Sequence, residues 1–298
     1  MRYEIAEEEQ EGIEPYVVVK QKPKGRGHVY EVAMSNMLEY PTQIPSVTTV
    51  LRSVDGSAVD PISRWSVKQA LKSAMNTCHN DVGFDYDEAK KAPMVELKKA
   101  GDRGTSLHEA MEMRFDKNSS SPSYDVNITK YLLGKGFSEK DISKARDCFN
   151  RLASWIDKQG YQVVGMEMPV FDGKLMVGGT IDMLLSDNKN TIFVADLKTG
   201  KNVYTKDAMQ VGAYINSIVH MMGTLNVEMW QPFPESMPMG DRINSLNVGG
   251  AVIHMNLDKP WIKINHIDSS VMNNIGFMAA RNLHKFNQTF KFQEVASL

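Results

Sequence analysis

Two aspartates in the middle of the chain, Asp182 and Asp196, carry its clearest chemical signal. Each lies in an apolar stretch, and the short turn between the stretches indicates two neighbouring antiparallel strands. If the loop is 188–190, strand pairing places Asp182 directly opposite Asp196, with Cβ atoms about 4.5–5.5 Å apart. If the loop is 188–189, Asp182 faces Ala195, and the two carboxylates point to opposite faces unless a bulge intervenes.

The first of these registers predicts a metal site. Two carboxylates that close together repel each other, so a proton or a cation must neutralise one of them. The residues on either side of both aspartates are mostly apolar, which indicates a poorly solvated pair. Oxygen donors in such surroundings suit Mg²⁺ or Mn²⁺, as one ion or two.

Lys198 lies two positions after Asp196, so the two side chains share a face of the strand. An ammonium there can orient an attacking water, help remove its proton, or stabilise charge on a pentavalent phosphorus. Two acids and an amine together suit phosphodiester hydrolysis, which requires an activated water and a stabilised leaving oxygen. An Asp-x-Lys triplet alone is more typical of an ordinary surface ion pair, so the functional interpretation depends on the other motifs.

Glycines and a polar helix face accompany the aspartates. Gly178 and Gly179 come shortly before Asp182, and glycine there allows a close approach of backbone or ligand. Gln210 and Tyr214 lie four residues apart on the predicted helix that follows, so they share one face.

His108 belongs to a separate motif in the first third of the chain. Ser106 and Glu109 have capping-box spacing, which predicts that a helix begins here with His108 in its first turn. Glu112 follows one turn later. A neutral imidazole at this place can join a metal shell with carboxylates, although a lone helical histidine is also an ordinary surface or core residue.

The elements that must position these residues alternate in type. Residues 16–34 are predicted to form one or two strands, residues 118–124 a loop, and residues 225–247 an irregular region. Strands, a crossover helix and further strands predict one α/β domain with a mixed sheet. Strands are predicted over 161–171, 175–185, 191–198, 251–257 and 261–267, and helices over 61–75, 86–99, 105–115, 141–159, 206–222 and 270–290.

The composition excludes several classes of protein. Of 298 residues, 42% are hydrophobic and 23% charged, which predicts a globular chain rather than a disordered one, and no apolar run is long enough to span a bilayer. The net charge of −2 argues against a purely electrostatic nucleic-acid binder. Two local basic runs would contact DNA only if they face the site: Lys20, Lys22, Lys24, Arg26 and His28, and Lys90, Lys91, Lys98, Lys99 and Arg103.

The cysteines and the N-terminal sequence predict a cytoplasmic location. Cys78 and Cys148 are the only cysteines, so the chain alone cannot hold an iron–sulfur cluster or a structural zinc site. Two free thiols in a reducing cytoplasm are expected. The start of the sequence shows no secretory signal or transit peptide.

In series, the motifs resemble those of the PD-(D/E)XK nuclease superfamily, in the branch with the RecB nuclease domain, Cas4 and the mitochondrial genome maintenance exonucleases. The matching text is RGTSLHEAME at 103–112, GGTID at 178–182, DLKTG at 196–200 and QVGAY at 210–214. Order and spacing agree over about 100–220. IPSVT at 44–48, with Trp65, looks like the opening segment of some phage members.

The resemblance implies a restriction-endonuclease-like α/β core, a central mixed β-sheet flanked by helices, with helical N-terminal additions. It implies that residues 1–298 form a single nuclease domain, in which 1–100 pack on the core, 100–222 carry the motifs and 223–298 complete the sheet. Cas4-like members carry a four-cysteine iron–sulfur cluster, which is not expected here.

The resemblance also assigns roles to individual residues. Asp182, Asp196 and Lys198 would be catalytic, and Mg²⁺ or Mn²⁺ would be held by His108, Asp182, Asp196 and the backbone carbonyl of Leu197. Arg103 would bind a phosphate, and Glu112 would hold His108 or nearby groups. Gln210 and Tyr214 would position the DNA strand or brace the site, with Tyr214 and the basic runs as candidates to guide a single strand.

Glu167 stands where this family often has an acid. If Asp172-Gly173 forms a two-residue hairpin turn, Glu167 pairs with Gly178. It would then lie about 13 Å along the sheet from Asp182, so it is not expected among the metal ligands.

The sequence therefore predicts a metal-dependent DNA exonuclease, acting on single-stranded or end-opened DNA in phage or bacterial recombination, repair or processing. A structure-specific endonuclease is the second choice. A DNA-binding or assembly protein that has lost activity, and an unrelated α/β protein with chance motifs, are the remaining alternatives.

Overall fold

The computed structural model describes most of the chain in segments. These are residues 2–4, 16–24, 27–34, 42–54, 61–79, 85–115, 124–187, 189–224, 246–258, 261–267 and 275–289. The predicted loop at 118–123, most of the predicted irregular region and the start of the last predicted helix lie outside the described residues.

A five-stranded sheet, in the order β5-β6-β7-β8-β9, forms the centre of the fold. The pairing of β7 with β8 is parallel and the other three pairings are antiparallel, which confirms the predicted mixed sheet. A parallel pair needs a crossover connection, and the helix α6 lies in that connection. The bounds are β5 Gln162–Asp172, β6 Val177–Ser186, β7 Thr191–Lys198, α6 Thr205–Thr224, β8 Asn247–Asn256 and β9 Trp261–His266.

Helices cover both faces of this sheet because its strands alternate apolar side chains between two core layers. Met183 and Leu185 of β6 belong to one layer and Leu184 to the other. The first layer is closed by α3 Tyr86–Phe115, α4 Tyr124–Gly134 and α5 Glu139–Gln159. The second is closed by α1 Val47–Leu51, α6 and α7 Ile275–Thr289.

The N-terminal region contains a sheet of its own beside its helices. The antiparallel strands β1 Arg2–Glu4, β2 Tyr16–Lys24, β3 Gly27–Met34 and β4 Thr42–Pro45 pair in chain order. The helix α2, Pro61–His79, follows α1 and a 3₁₀ turn at Arg52–Val54. The N-terminal additions are thus both β and α in structure, and Tyr30 and Ser46 join them to β6.

The helix α3 corrects the sequence-based boundaries. Residues 86–99 and 105–115 were predicted as two helices, but they form one continuous helix of 30 residues. Ser106 does not cap a helix: its hydroxyl donates to the carbonyl of Asp102, four residues earlier within the same helix. The helix α4 is a further element that the sequence pattern did not predict. No helix within the described segments has the length and apolar character needed to cross a membrane.

Candidate functional site

The pairing of β6 with β7 decides between the two registers left open by the sequence. Met183 pairs with Ala195 and Leu185 with Phe193, and this register, continued by one pair past the end of the ladder, sets Asp182 opposite Asp196. The backbone N–H of Asp187 donates to the carbonyl of Thr191 at 3.4 Å and closes the loop at 188–190. The three-residue loop is therefore confirmed, and both carboxylates meet at one end of the sheet.

Asp196 is fully buried, with a side chain held by two partners. Its Oδ1 accepts a hydrogen bond from Nε2 of Gln210 at 2.9 Å. Its Oδ2 lies 2.6 Å from Nζ of Lys198 and, within the described part of the chain, receives no hydrogen bond of regular geometry. This oxygen therefore keeps a lone pair available for a ligand.

Asp182 connects the two strands and the helix α3. Its Oδ2 accepts a hydrogen bond from the backbone N–H of Leu197 at 2.6 Å and lies 3.5 Å from Nδ1 of His108. His108 reaches the sheet because α3 passes close to the end of β7. A Cβ at Gly104 would lie 3.1 Å from Oγ1 of Thr199, so this glycine permits the approach.

Glu167 also belongs to this site, and the predicted separation of about 13 Å from Asp182 was wrong. The β5–β6 turn spans 173–176, because Oδ1 of Asp172 accepts hydrogen bonds from the backbone N–H groups of residues 174 and 175. Asp172 consequently pairs with Val177, and the same register brings Glu167 opposite Asp182. Oε1 of Glu167 lies 3.7 Å from Nδ1 of His108.

The backbone at Glu167 is strained. Its φ angle is +46°, in the left-handed region that residues other than glycine seldom adopt. Such conformations persist where the surrounding structure enforces them, and they are common at functional sites. No feature of the sequence indicates this conformation.

His108, Glu167 and Asp182 can offer ligand atoms that all lie within 4.8 Å of one another. One imidazole nitrogen and two carboxylate oxygens, with a third carboxylate opposite, form a donor set that fits a divalent cation. This group includes Glu167, which was not predicted as a ligand. Asp196 and Leu197, which were predicted as ligands, lie next to it on β7.

The pKa values of the site residues are shifted because several carboxylates are buried close together. Burial, together with the charge of Asp196, raises the pKa of Asp182 to about 7. Burial also raises the pKa of Asp196, although the ammonium of Lys198 opposes that shift. Burial alone would lower the pKa of His108, but its hydrogen bond to Glu167 and the charge of Asp182 outweigh burial and raise it. The site therefore retains protons near neutral pH, which a bound cation would displace.

Gln210 and Tyr214 brace the site from α6. Nε2 of Gln210 donates to the hydroxyl of Tyr214 at 2.9 Å, and Oε1 of Gln210 accepts from Nζ of Lys198 at 3.3 Å. Tyr214 is only 3% exposed, and its ring fills the space in which a Cβ at Gly179 would come within 2.2 Å. Of the two roles that the resemblance offers for Tyr214, this burial favours bracing the site over contact with a DNA strand.

Arg103 and Glu112 occupy different surroundings. Nη2 of Arg103 lies 3.1 Å from Oδ2 of Asp141, and the guanidinium packs over the ring of Phe137, with 4.6 Å between the guanidinium carbon and the ring centroid. These contacts direct Arg103 towards α5. Glu112 is exposed and lines the same cleft as His108.

The second basic run is largely ion-paired on α3. Lys98 pairs with Asp102 and Lys99 with Glu96, as neighbours on one helix face. In the first run, Lys22 pairs with Glu31. The side chains of Lys20, Lys24 and Arg26 lie outside the described residues.

Two openings flank the acidic group. The larger, of about 590 Å³, is lined by His108, Glu109, Glu112, Glu167 and the segment 197–200. The smaller, of about 160 Å³, is lined by Thr48, Leu51, Arg52, Lys206, Asp207 and Gln210. Lys198 and Gln210, which are hydrogen-bonded to each other, connect the two openings.

A comparison with known families agrees with this geometry. The sequence profile of the PD-(D/E)XK nuclease superfamily matches residues 74–232, more than half of the chain. The chain belongs to the PD-(D/E)XK nuclease superfamily. The matched range contains His108, Glu167, Asp182, Asp196 and Lys198. No curated protein matches the sequence.

Membership of the PD-(D/E)XK superfamily has direct consequences for function. Its members are generally nucleases or other phosphodiesterases that use divalent metals, so a nucleic acid is the implied substrate. The restriction-endonuclease-like fold predicted from the sequence is confirmed by this match and by the mixed sheet flanked by helices.

Proposed function

We propose that the protein is a metal-dependent deoxyribonuclease that hydrolyses phosphodiester bonds. The observation that carries this proposal is the convergence of His108, Glu167 and Asp182 opposite the Asp196–Lys198 ion pair, at the wall of an open cleft. A surface ion pair would not explain three further ionisable groups buried or half-buried at the same point.

Mg²⁺ or Mn²⁺, as one ion or two, is the proposed cofactor. Asp182, His108 and Glu167 would hold it, with Asp196 and the carbonyl of Leu197 completing the set. The N–H and C=O of a residue in a ladder point to the same side of the strand, and the N–H of Leu197 faces Asp182. When bound, such a cation supplies an activated water and a counter-charge for the phosphate.

Lys198 is proposed as the catalytic lysine. Burial lowers the pKa of its ammonium, but the charges of Asp196 and Asp182 outweigh burial and raise it. The side chain therefore stays protonated and acts as a donor rather than as a base. It would orient the attacking water and stabilise the charge that develops on the phosphoryl oxygens, while Gln210 keeps the ammonium in place.

The substrate is proposed to be single-stranded or end-opened DNA. Arg52 and Lys206 place two cationic side chains at the smaller opening, beside Gln210, where they would contact backbone phosphates. The motif text supports the branch with the RecB nuclease domain and Cas4, and hence a cytoplasmic role in phage or bacterial recombination, repair or processing. Exonuclease activity is the first choice and structure-specific endonuclease activity the second.

Digestion assays test this proposal. Wild-type protein with Mg²⁺ or Mn²⁺ should degrade end-labelled linear single-stranded DNA and spare circular DNA, whereas cutting of the circle would favour the endonuclease. Asp196→Asn should abolish cleavage, and Lys198→Ala should slow it by about 10²–10³-fold. Lys140→Ala, which removes an exposed lysine of α5, serves as the matched control. Near-normal digestion by either site variant would refute the assignment.

A calorimetric titration with Mg²⁺ or Mn²⁺ separates the enzyme from an inactive DNA-binding relative. An active nuclease should bind the metal in the absence of DNA, and Asp182→Asn should remove that binding. DNA binding without metal binding would favour the inactive alternative.

A further inference from the structure

The strand pairing of β6 is incomplete on both sides of Asp182. The ladder between β6 and β7 ends at the pair of Met183 and Ala195, so residues 180–182 lie beyond it. On the other side, Thr180 pairs with Pro169, which has no N–H to donate. Between the pairs of Met166 with Met183 and of Met168 with Ile181, Glu167 adopts a left-handed backbone opposite Asp182.

The N-terminal sheet contacts this segment from a third side. Tyr30 of β3 is 2% exposed, and its hydroxyl shares a hydrogen bond of 2.8 Å with Oγ1 of Thr180. The Tyr30 ring packs so closely on Gly178 that a Cβ there would lie 2.5 Å from it. Ser46, just after β4, forms an isolated bridge with Gly178. The N-terminal sheet thus contacts β6 directly beside the acidic group.

Thr180 connects the contact with Tyr30 to the backbone that positions Asp182. It precedes Asp182 by two residues, and alternate residues of a strand share a face. The Tyr30 hydroxyl stays protonated, because burial raises the pKa of Tyr30 to about 12, and it lies near enough to Glu167 and Asp182 for their charges to add to the shift. It is therefore available as a hydrogen-bond donor over the whole working range of pH.

We infer that Tyr30 is a positioning residue that acts through Thr180 to hold the Asp182 carboxylate where the cation binds. The N-terminal sheet then supplies a part of the site that no motif of the catalytic core contains. The inference rests on the proposed metal site. Partners that orient metal ligands typically contribute about 10–100-fold to metal affinity or activity, which sets the size of the expected effect.

Tyr30→Phe tests the inference because it removes one oxygen atom and keeps the ring against Gly178. Mn²⁺ affinity, measured by electron paramagnetic resonance without DNA, should fall about tenfold, and kcat should fall by a similar factor. KM for DNA should stay unchanged, because Tyr30 does not reach the substrate. Tyr131→Phe is the matched control, since the buried Tyr131 hydroxyl has no hydrogen-bond partner among the residues that the structure describes. It should leave Mn²⁺ affinity and kcat unchanged.

Variants of Thr180 provide a second, independent test of the role of Tyr30. Thr180→Val should reproduce the loss seen in Tyr30→Phe, Thr180→Ser should restore Mn²⁺ affinity, and the double variant Tyr30→Phe with Thr180→Val should be no worse than either single variant. Additive losses in the double variant would overturn the inference. So would wild-type Mn²⁺ affinity in Tyr30→Phe, or no recovery in Thr180→Ser.

The two proposals can fail separately. If wild-type protein binds Mn²⁺ but cleaves no DNA, the nuclease proposal fails, and the Mn²⁺ affinities of the variants still decide the role of Tyr30. If wild-type protein cleaves DNA and Tyr30→Phe does so with unchanged kcat and Mn²⁺ affinity, only the role of Tyr30 is overturned.

Discussion

The two sides of the acidic group are built on very different backbone. On one side, β7 runs as a regular strand between β6 and β8, and Asp196 and Lys198 follow its alternation. On the other side, the β5–β6 hairpin contains a bulge near residue 164, a proline in the ladder and a left-handed glutamate. We call these the regular side and the irregular side.

The difference shows two ways to fix a carboxylate. On the regular side the ladder sets the backbone, and side-chain partners such as Gln210 and Lys198 complete the arrangement. On the irregular side the ladder is interrupted, so Asp182 depends on a backbone N–H from Leu197 and on contacts around Thr180. Interrupting the ladder allows Glu167 to join the group, at the expense of local stability.

The largest expected effect lies on the regular side. Lys198→Ala should lower kcat by about 10²–10³-fold, because it removes a preorganised donor to the developing phosphoryl charge. Single-turnover cleavage of labelled DNA with saturating Mg²⁺ measures this loss, and Lys140→Ala is the control. A loss of tenfold or less would show that the regular side does not carry the chemistry.

The second prediction concerns metal-free stability. Burial and the neighbouring charge of Asp196 raise the pKa of Asp182 from its ordinary value of 3.8 to about 7 in the folded protein, so between these values the folded state binds a proton that the unfolded state releases. Stability should therefore fall as pH rises from about 4 to about 7, and the raised pKa of His108 acts in the same direction as pH rises further. Melting temperatures in EDTA across this range measure the effect.

Asp182→Asn supplies the control for that titration. It should flatten the pH dependence in EDTA, because the buried group can no longer ionise. In the wild type, Mg²⁺ should raise the melting temperature more at pH 8 than at pH 5. If the melting temperature of the wild type in EDTA rose between pH 4 and 7, it would contradict the proposed close placement of the buried carboxylates.

The third prediction distinguishes the backbone strain at Glu167 from the role of its carboxylate as a metal ligand. Glu167→Gly should be more stable than Glu167→Gln by about 1–2 kcal/mol, because glycine adopts a positive φ without the penalty of a Cβ. Both variants should lose Mn²⁺ affinity to a similar extent. Denaturant unfolding in EDTA and Mn²⁺ titration measure the two quantities, and equal stability of the variants would argue against strain at this residue.

The smallest expected effect concerns the substrate. Arg52→Ala should raise KM for DNA a few-fold, leave kcat unchanged, and reduce the slope of log KM against log salt by about 1, because one phosphate contact is lost. Initial rates between 50 and 200 mM salt, a range of ionic strengths typical for such tests, would measure it. If the slope of log KM against log salt were unchanged in Arg52→Ala, Arg52 would not contact a DNA phosphate.

Much of the regular side could be predicted from the sequence. The alternation of a strand puts Asp196 and Lys198 on one face, and the helical repeat puts Gln210 and Tyr214 on one face. Whether Asp182 lies opposite Asp196 depended only on the length of the loop between their strands. The register with the three-residue loop was confirmed. These relations are local, so residue spacing is enough to state them.

The irregular side was decided by the tertiary structure. The position of Glu167 depends on a four-residue turn held by Asp172, and a shift of two residues in that turn moves the glutamate from a distant position into the site. His108 reaches the sheet because α3 passes close to the end of β7, and it lies well inside this helix, whereas spacing indicated a helix start at Ser106. Tyr30 lies 150 residues from Thr180, so no local pattern relates them.

The sequence by itself thus determined the chemical types at the site and limited the pairing of the two aspartates to two registers, because strand and helix periodicities act over a few residues. Only the tertiary structure decided which further side chains meet them. Turn geometry, helix continuity and the packing of a distant sheet depend on contacts between residues far apart in the chain.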